Sequence, residues 1–408
     1  MDTLHERCAG LDVHKDTVVA CTRFSTGRTT EREVRTFTTT TTGLLELHDW
    51  LEGLAVTHVA MEATGVYWKP VWHLLESSFE LVLANASHIK AVPGRKTDTN
   101  DATWIADLLA HGLIRPSFVP PTPIQELRDL TRTRKQLVNE MGRHLQRIQK
   151  VLQDANLKID SFITDLLGKS GRAILDALVE GHTNPEVLVS LTTGRLKASK
   201  AELIEALRGR VTRHHRFLIK LHLRQIDQIQ RSIAELEAQA RDAIEPFRHL
   251  VEQLKAMPGI SDTAALVILA EIGTNMTAFP SAAHLVSWAG LCPRSDESAG
   301  KRRSTRIRHG APWLKATLVQ AAWPATRKKN SYWGALFHRI RSRSGAKKAI
   351  IAVAASMLTT AYHLLRDGTA YQDLGPHHFD KARADRTAKS LVRRLEALGF
   401  EVELRKAA

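Results

Sequence analysis

The stretch CAGLDVHKDTVVACTRF, residues 8–24, reads as two short strands rich in Val, Ala and Thr that fold back on each other at a tight turn near His14 and Lys15. The next hundred residues decide the kind of sheet they begin. A third strand is expected around Arg32 to Phe37, GLLELHDWLEGL (43–54) carries apolar residues at helical spacing, and THVAMEATG (57–65) reads as a buried strand ending in a carboxylate. A helix through VYWKPVWHLLESS (66–78), a strand at ELVLANA (80–86) and a helix in DATWIADLLAHGL (101–113) continue the alternation. Strands interleaved with helices predict an α/β domain with a mixed sheet over residues 1–120.

Beyond VPPTPIQ (119–125) the pattern changes to long helices, giving an α/β plus all-α chain. Leu127, Leu130, Leu137, Met141, Leu145, Ile148 and Leu152 recur at threes and fours, as do Leu218, Leu221, Ile226, Ile229, Ile233 and Leu236. The pattern fits the arms of a helical hairpin and a coiled-coil dimer contact equally. Residues 121–250 are therefore assigned to a helical coiled-coil segment, with smaller helices and no chemistry expected between Asn156 and His215. A C-terminal helical domain is expected over 251–370. It opens with LKAMPGISDTAALVILAEIG (254–273), whose Pro258-Gly259-Ile260 turn resembles a helix-hairpin-helix able to receive a phosphate and equally an ordinary helix-loop-helix. Residues 371–408 read as a basic tail ending in a basic helix and a strand-like FEVEL (400–404).

At 408 residues with 43% apolar side chains the chain can build more than one core. The formal charge of +15 attracts polyanions and makes nucleic acid the leading partner. A membrane partner would need a basic amphipathic face or an anchor, and neither is evident. Cys8, Cys21 and Cys292 are scattered, without the spacing of a zinc or redox motif, which fits a reducing cytosol. Asp2, His5 and Glu6 stand where a signal peptide would be basic, so a cytoplasmic, nucleoid-associated protein is expected. The longest apolar run, AIIAVAASMLTTAYHLL (349–365), is interrupted by Ser356, Thr359, Thr360 and His363 and reads as a buried helix too short for a span.

Four carboxylates are placed where chemistry is expected. Asp12 lies on the first strand, Glu62 at the end of a buried strand, and Asp98 and Asp101 near a helix start, three apart and so on one face. If the sheet sets Asp12 beside Glu62, the helix completes a cluster of hard oxygen ligands suited to one or two Mg2+ ions, which serve phosphoryl transfer. Taken alone, Asp98 and Asp101 read as a helix cap and a first-turn acid, and Asp12 could close the turn. Glu62 at the end of a buried strand is costly unless paired or metal-bound. Sugar kinases and actin-like ATPases also open with a strand, an aspartate and a hairpin, but their small phosphate-cradling turn residues are replaced here by bulky, charged VHKD.

A second constellation is RSDESAGKRRSTRIRHG (294–310), in which Ser298 precedes two small residues and then Lys301, Arg302, Arg303, Arg306 and Arg308. Between Arg294 and Lys348 there are fifteen basic residues against two acids, the density of a phosphate-facing surface. A serine becomes a nucleophile when a base, a metal or a cationic field favours its alkoxide. The residues by themselves favour the plainer reading, a flexible basic loop that grips DNA with Ser298 an incidental hydroxyl.

GLDVHKDTVVA, VAMEATGVYW, GRKTDTNDATWIADLLAHG, MPGISDTAALVILAEIG and WAGLCPRSDESAGKRRSTRIRHGAPWLK resemble, in order and at suitable spacing from about residue 8 to 366, successive motifs of the DEDD insertion-sequence transposases, the bridge-RNA-guided recombinases. The resemblance implies an N-terminal RuvC-type domain of RNase H-like fold, a coiled-coil segment and a C-terminal transposase domain. It implies that Asp12, Glu62, Asp98 and Asp101 are the acids of a magnesium site and that Ser298 forms a transient phosphoserine link to DNA. Many relatives carry Ser directly before Gly, whereas this chain has Ser298-Ala299-Gly300. The implied partners are DNA at element ends and target, an element-encoded guide RNA and further copies of the chain in a dimer or tetramer, with Lys96 and the basic residues after Ser298 on nucleic acid. The implied activity is transposition; the rival readings are a metal-dependent junction nuclease that uses water and a non-catalytic nucleic-acid-binding relative.

Overall fold

Residues 8–24 form a hairpin whose first strand is buried on both faces, and the period of two sets which face each residue takes. Strands β1 (Arg7–Val13) and β2 (Thr17–Thr26) pair antiparallel, Asp12 opposite Val19, and β2 pairs antiparallel with β3 (Thr29–Thr38). Helix α1 (Thr41–Gly53), N-capped by Thr40, leads into β4 (His58–Glu62), which runs parallel to β1. Helix α2 (Trp68–Leu75) then leads into β5 (Glu80–Ala84), parallel to β4. The sheet order β3-β2-β1-β4-β5 is that of a mixed five-stranded sheet, consistent with an RNase H-like domain. The short helix α3 (Ala86–Ala91), not anticipated from the pattern, and α4 (Asp101–Ala110) complete this part.

The computed structural model describes residues 3–26, 29–63, 65–92, 100–194, 198–293, 296–304, 306–381 and 384–403. Two compact units divide between Val119 and Pro120. In the first, the two faces of the sheet carry separate cores. Ala9, Leu11, Val13, Val59 and Met61 pack with Leu44, Leu47 and Leu51 of α1 and Val71 and Leu75 of α2. Cys8 and Ala60, on the other face, pack with Ile105 and Leu109 of α4. Burial pushes the Cys8 thiol up to about 12, so that it stays a neutral packing group; Cys21, also wholly buried, is shifted the same way.

The second unit is built on α5 (Thr122–Asp154). Four short helices come next, α6 (Ile159–Phe162), α7 (Lys169–Glu180), α8 (Pro185–Ser190) and α9 (Lys200–Ala206), and then α10 (Arg213–Ala243). Arg134 bonds Glu237 at 2.7 Å, His144 lies 3.2 Å from His222, and Asp154 lies 2.8 Å from His215. Rising numbers on α5 meet falling numbers on α10, so the two helices form an antiparallel hairpin within one chain. The short helices wrap its closed end, where Leu175, Leu178, Leu188 and Leu203 share a core with Ile148 and Leu152 of α5 and Ile219 and Leu223 of α10.

The His144–His222 contact gives this hairpin a pH dependence. Burial lowers the pKa of His222, with the nearby charges of His144 and Arg147 acting in the same direction. A histidine whose folded value lies below its unfolded one supports folding above the unfolded pKa and withdraws that support as pH falls. Urea unfolding midpoints are expected to drop between about pH 7 and pH 5, and His222→Gln to flatten that slope; an unchanged slope in the variant contradicts the assignment.

Helices α11 (Arg248–Lys255) and α12 (Asp262–Ile272) flank the Pro258-Gly259 turn. Gly259 has φ +85°, and a Cβ there would stand 2.3 Å from the Ala321 carbonyl oxygen, so both conformation and close packing require glycine. Glu271, at 1% exposure, is a carboxylate at the buried end of a helix whose middle is apolar; Arg132 holds both its oxygens at 2.8 Å, and Arg128 bonds the carbonyls of Ala270 and Glu271. A buried charge without such a partner would be strongly destabilising. After α13 (Ala282–Trp288) comes a hairpin where a flexible loop is the sequence expectation: β6 (Asp296–Ser298) and β7 (Lys301–Ser304). Helices α14 (Pro312–Arg327), α15 (Tyr332–Ser344) and α16 (Ala346–Asp367) lie beyond it.

At 22 residues, α16 is longer than the apolar run indicates, and by length and composition it could cross a membrane. Its Ala349, Val353, Ala354, Met357, Leu358 and Tyr362 are buried, and it packs against α13, α14 and α15 as a core helix. The tail carries α17 (His378–Lys381) and α18 (Ala384–Glu396). Residues 400–403 form no strand, correcting the strand-like reading of FEVEL: no neighbouring strand among the described residues offers them a ladder.

Candidate active site

Strand register brings two of the four acids to neighbouring positions. Leu11 lies opposite Met61 in the parallel β1–β4 pair, so Asp12 and Glu62 occupy the next positions of adjoining strands. Leu11 and Met61 face the α1 side, and alternation turns Asp12 and Glu62 toward the face that α4 covers. Helix α4 lies almost flush on that face because position 10 has no side chain: a Cβ on Gly10 would stand 2.3 Å from both the Ala102 carbonyl oxygen and the Ala106 nitrogen. The helix begins at Asp101, and its N-cap is Asn100, whose side chain accepts from the Ala102 N–H at 2.9 Å. Asp101 is thus the first helical residue rather than the cap, on the helix that packs over β1 and β4.

Asp12 is 18% exposed, and its carboxylate lies 3.2 Å from His14 Nε2. In the sequence His14 is only a bulky turn residue; nothing in the spacing signals this contact, which arises because the turn after β1 folds back with the His14 N–H donating to the Thr17 carbonyl. Asp98 and Lys96 lie outside the described residues. Elsewhere in this unit His48, Asp49 and Glu52 bring ligand atoms within 4.8 Å of one another, but they sit on α1, whose buried side belongs to the opposite core. His48 is already engaged by Asp49 and by Ser78.

Ser298 ends β6 and pairs with Lys301 across the turn Ala299-Gly300. Both turn residues have positive φ, +50° and +73°, the geometry of a tight two-residue hairpin. Glycine adopts it at no steric cost, whereas Ala299 carries roughly 1 kcal/mol of strain. Separately from this ladder, an isolated bridge joins Pro293 and Ile307, and Gly290 and Gly310 approach so closely that a Cβ on either would meet backbone under 3 Å. The serine is therefore carried on a constrained hairpin rather than a loose loop. Lys301, Arg306 and Arg308 are exposed along it, and Arg302 and Arg303 belong to β7. Lys315 closes the segment by donating to the Arg308 and His309 carbonyls.

Comparison with known proteins gives this arrangement a context. A family model of IS110 DEDD transposases, described as Transposase, matches residues 9–157, and a second, described as Transposase IS116/IS110/IS902 family, matches residues 251–339. The insertion element IS110 43.6 kDa protein of Streptomyces coelicolor is 26% identical over 319 residues, covering 70% of this chain and 74% of its own. The pilin gene-inverting protein of Moraxella lacunata is 24% identical over 375 residues, 89% of this chain and 96% of that one. An insertion element IS900 42 kDa protein of Mycobacterium paratuberculosis is 25% identical over 339 residues, 71% and 80% of the two chains. The first family model spans the strand-borne acids and the second spans the serine hairpin, in one order along one polypeptide, and on that basis the chain belongs to the IS110 family of DEDD transposases.

Proposed function

We propose that this transposase cuts and rejoins DNA through a carboxylate-held Mg2+ site formed by Asp12, Glu62, Asp98 and Asp101 together with Ser298 as nucleophile. The observation that carries the reading is the register that sets Asp12 beside Glu62 under a helix beginning at Asp101. The DEDD family implies a divalent-metal site, and the donors suit it: carboxylate oxygens are ligands that hard divalent cations such as Mg2+ take. Bound there, one or two such ions supply Lewis-acid polarisation of a phosphate and charge stabilisation of the attacking and leaving oxygens.

The chain's own groups do the rest. The Ser298 hydroxyl attacks a phosphodiester; an Oγ–P bond forms as the P–O bond to the departing strand end breaks, and the departing oxygen takes up the proton that serine gives up. Attack by a strand hydroxyl on the phosphoserine reverses these steps, so the phosphodiester energy is conserved and no ATP is needed. Lys96, Lys301, Arg302, Arg303, Arg306 and Arg308 face phosphate and offset its charge.

Within the second unit, residues 121–250 act as a scaffold, 251–370 as the transposase domain and 371–408 as a basic tail. Acids and serine come from different copies in a dimer or tetramer, and an element-encoded RNA pairs with donor and target DNA to set the sequence. Inversion, in the name of the Moraxella relative, is one outcome of such conservative exchange.

The test is a denaturing gel of protein incubated with labelled element-end DNA and Mg2+. The wild type is expected to yield a protein–DNA conjugate and Ser298→Ala none, with DNA binding retained within about threefold, since one hydroxyl adds little to a counterion-driven affinity. A conjugate that persists in the variant refutes the serine. Free cut ends with no conjugate in the wild type indicate a water-using nuclease instead.

A further inference from the structure

Helices α5, α12 and α14 line an open cavity of about 560 Å3 on the second unit, close in sequence to the serine hairpin but not used by the mechanism above. Its size falls within the roughly 300–1,000 Å3 of small-ligand sites. Its wall joins two flat groups: Trp313, half-buried in the first turn of α14, and the Arg132 guanidinium, 5.8 Å from that ring's centroid. The guanidinium cannot swing away, because Glu271 grips it at two points, 2.8 Å each. Val138, Val267 and Ala316 add apolar surface, while Thr263, Thr317 and Gln320 offer hydroxyls and an amide able both to donate and to accept. Lys135, on the same helix as Arg132 and three residues on, has no ion-pair partner among the described residues. The rim residues Ser261, Gln320 and Pro324 are exposed, so a ligand still joined to a longer chain can enter.

We propose that this cavity receives one unstacked nucleotide of a single-stranded nucleic acid, its base laid against the Trp313–Arg132 pair and its phosphate toward Lys135. Flat π-faced side chains with a fixed cation are what a free base requires, and a duplex, whose bases are stacked on each other, cannot present one. The polar groups of Thr263, Thr317 and Gln320 meet the base edge. Fixing Arg132 in advance lowers the ordering cost of binding, which gives its pairing with the buried Glu271 a role beyond packing. The inference rests on the nucleic-acid reading above, but not on the serine chemistry.

The experiment uses the full-length chain and fluorescein-labelled, mixed-sequence strands of roughly 20 nucleotides, as single-stranded RNA, single-stranded DNA and DNA duplex, with anisotropy read at one salt concentration. Trp313→Ala is expected to weaken single-strand binding about tenfold and duplex binding less than about twofold, with Trp313→Phe restoring most of the loss. Lys135→Gln, which removes the charge of this half-buried side chain and keeps most of its length, is expected to weaken single strands about threefold. Whichever of RNA or DNA shows the larger Trp313 effect is the source of the nucleotide. Irradiation of strands bearing 5-iodouracil is expected to yield a peptide adduct at Trp313. Equal loss on duplex and single strand, no loss in either variant, or adducts that all avoid Trp313 overturn the proposal. Failure of the wild type to bind any strand overturns the nucleic-acid reading itself, and a Ser298→Ala chain that binds normally keeps the two questions apart.

Discussion

Asparagine in place of Asp12 is expected to abolish recombination, by roughly a thousandfold or more, while leaving nucleic-acid binding and the fold in place. The amide has the size and shape of the carboxylate and can still meet His14, the neighbour at 3.2 Å. What it lacks is charge. In the register of β1 and β4, Asp12 and Glu62 occupy neighbouring positions on the sheet face covered by the helix that begins at Asp101. In the proposed site, like charges gathered this way would repel unless a cation joined them, so the cluster would favour a bound metal at the expense of the empty fold. Recombination of element-end substrates should therefore vanish at any practical Mg2+ concentration, and the thermal midpoint in chelator should stay level or rise. Recombination within tenfold of the wild type, or a marked loss of stability, would show that Asp12 is a structural turn residue.

The largest effect on stability is expected at Gly10. Alanine there places a methyl 2.3 Å from two backbone atoms of α4, and neither a carbonyl nor an amide inside a helix can turn aside as a flexible side chain would. The helix has to lift from the sheet, opening the contacts of Ile105 and Leu109 with Cys8 and Ala60. A cost of about 3 kcal/mol is expected, at the upper end for overpacking. Activity should fall with it, since lifting α4 carries Asp101 away from Asp12 and Glu62. Gly53 is the control: a Cβ at this last residue of α1 meets nothing within 4 Å, so Gly53→Ala should be neutral or stabilising by up to about 1 kcal/mol. Urea unfolding of the three chains decides the matter; equal midpoints for Gly10→Ala and wild type would mean that α4 does not sit as tightly as its backbone contacts require.

The period-two and helical patterns of the first 113 residues sufficed to locate the strands, the main helices and the carboxylates on them, because alternation and amphipathic spacing are local properties of the chain. They could not say which strand neighbours which. The crossing of β4 to lie parallel beside β1, which brings residue 62 next to residue 12, depends on packing both faces of the sheet at once. The serine segment shows the same limit in reverse. Its dense charge masked a hairpin whose two-residue turn, Ala299-Gly300, lies within the segment and whose base depends on the approach of Gly310 to Gly290, outside it.

In the long helices, spacing fixed the apolar stripes of α5 and α10 but left hairpin and dimer open; the pairs Arg134–Glu237 and Asp154–His215 place the two arms in one chain. Glu271 and Arg132, 139 residues apart, carried no signal of each other, since an ion pair has no periodicity. What the sequence by itself determined was the identity of the elements and the chemistry they carry, through local propensity and charge. Which of those groups stand together was decided only by tertiary packing, where the absence of a single side chain at Gly10 sets how closely a helix can bring its acid to the sheet.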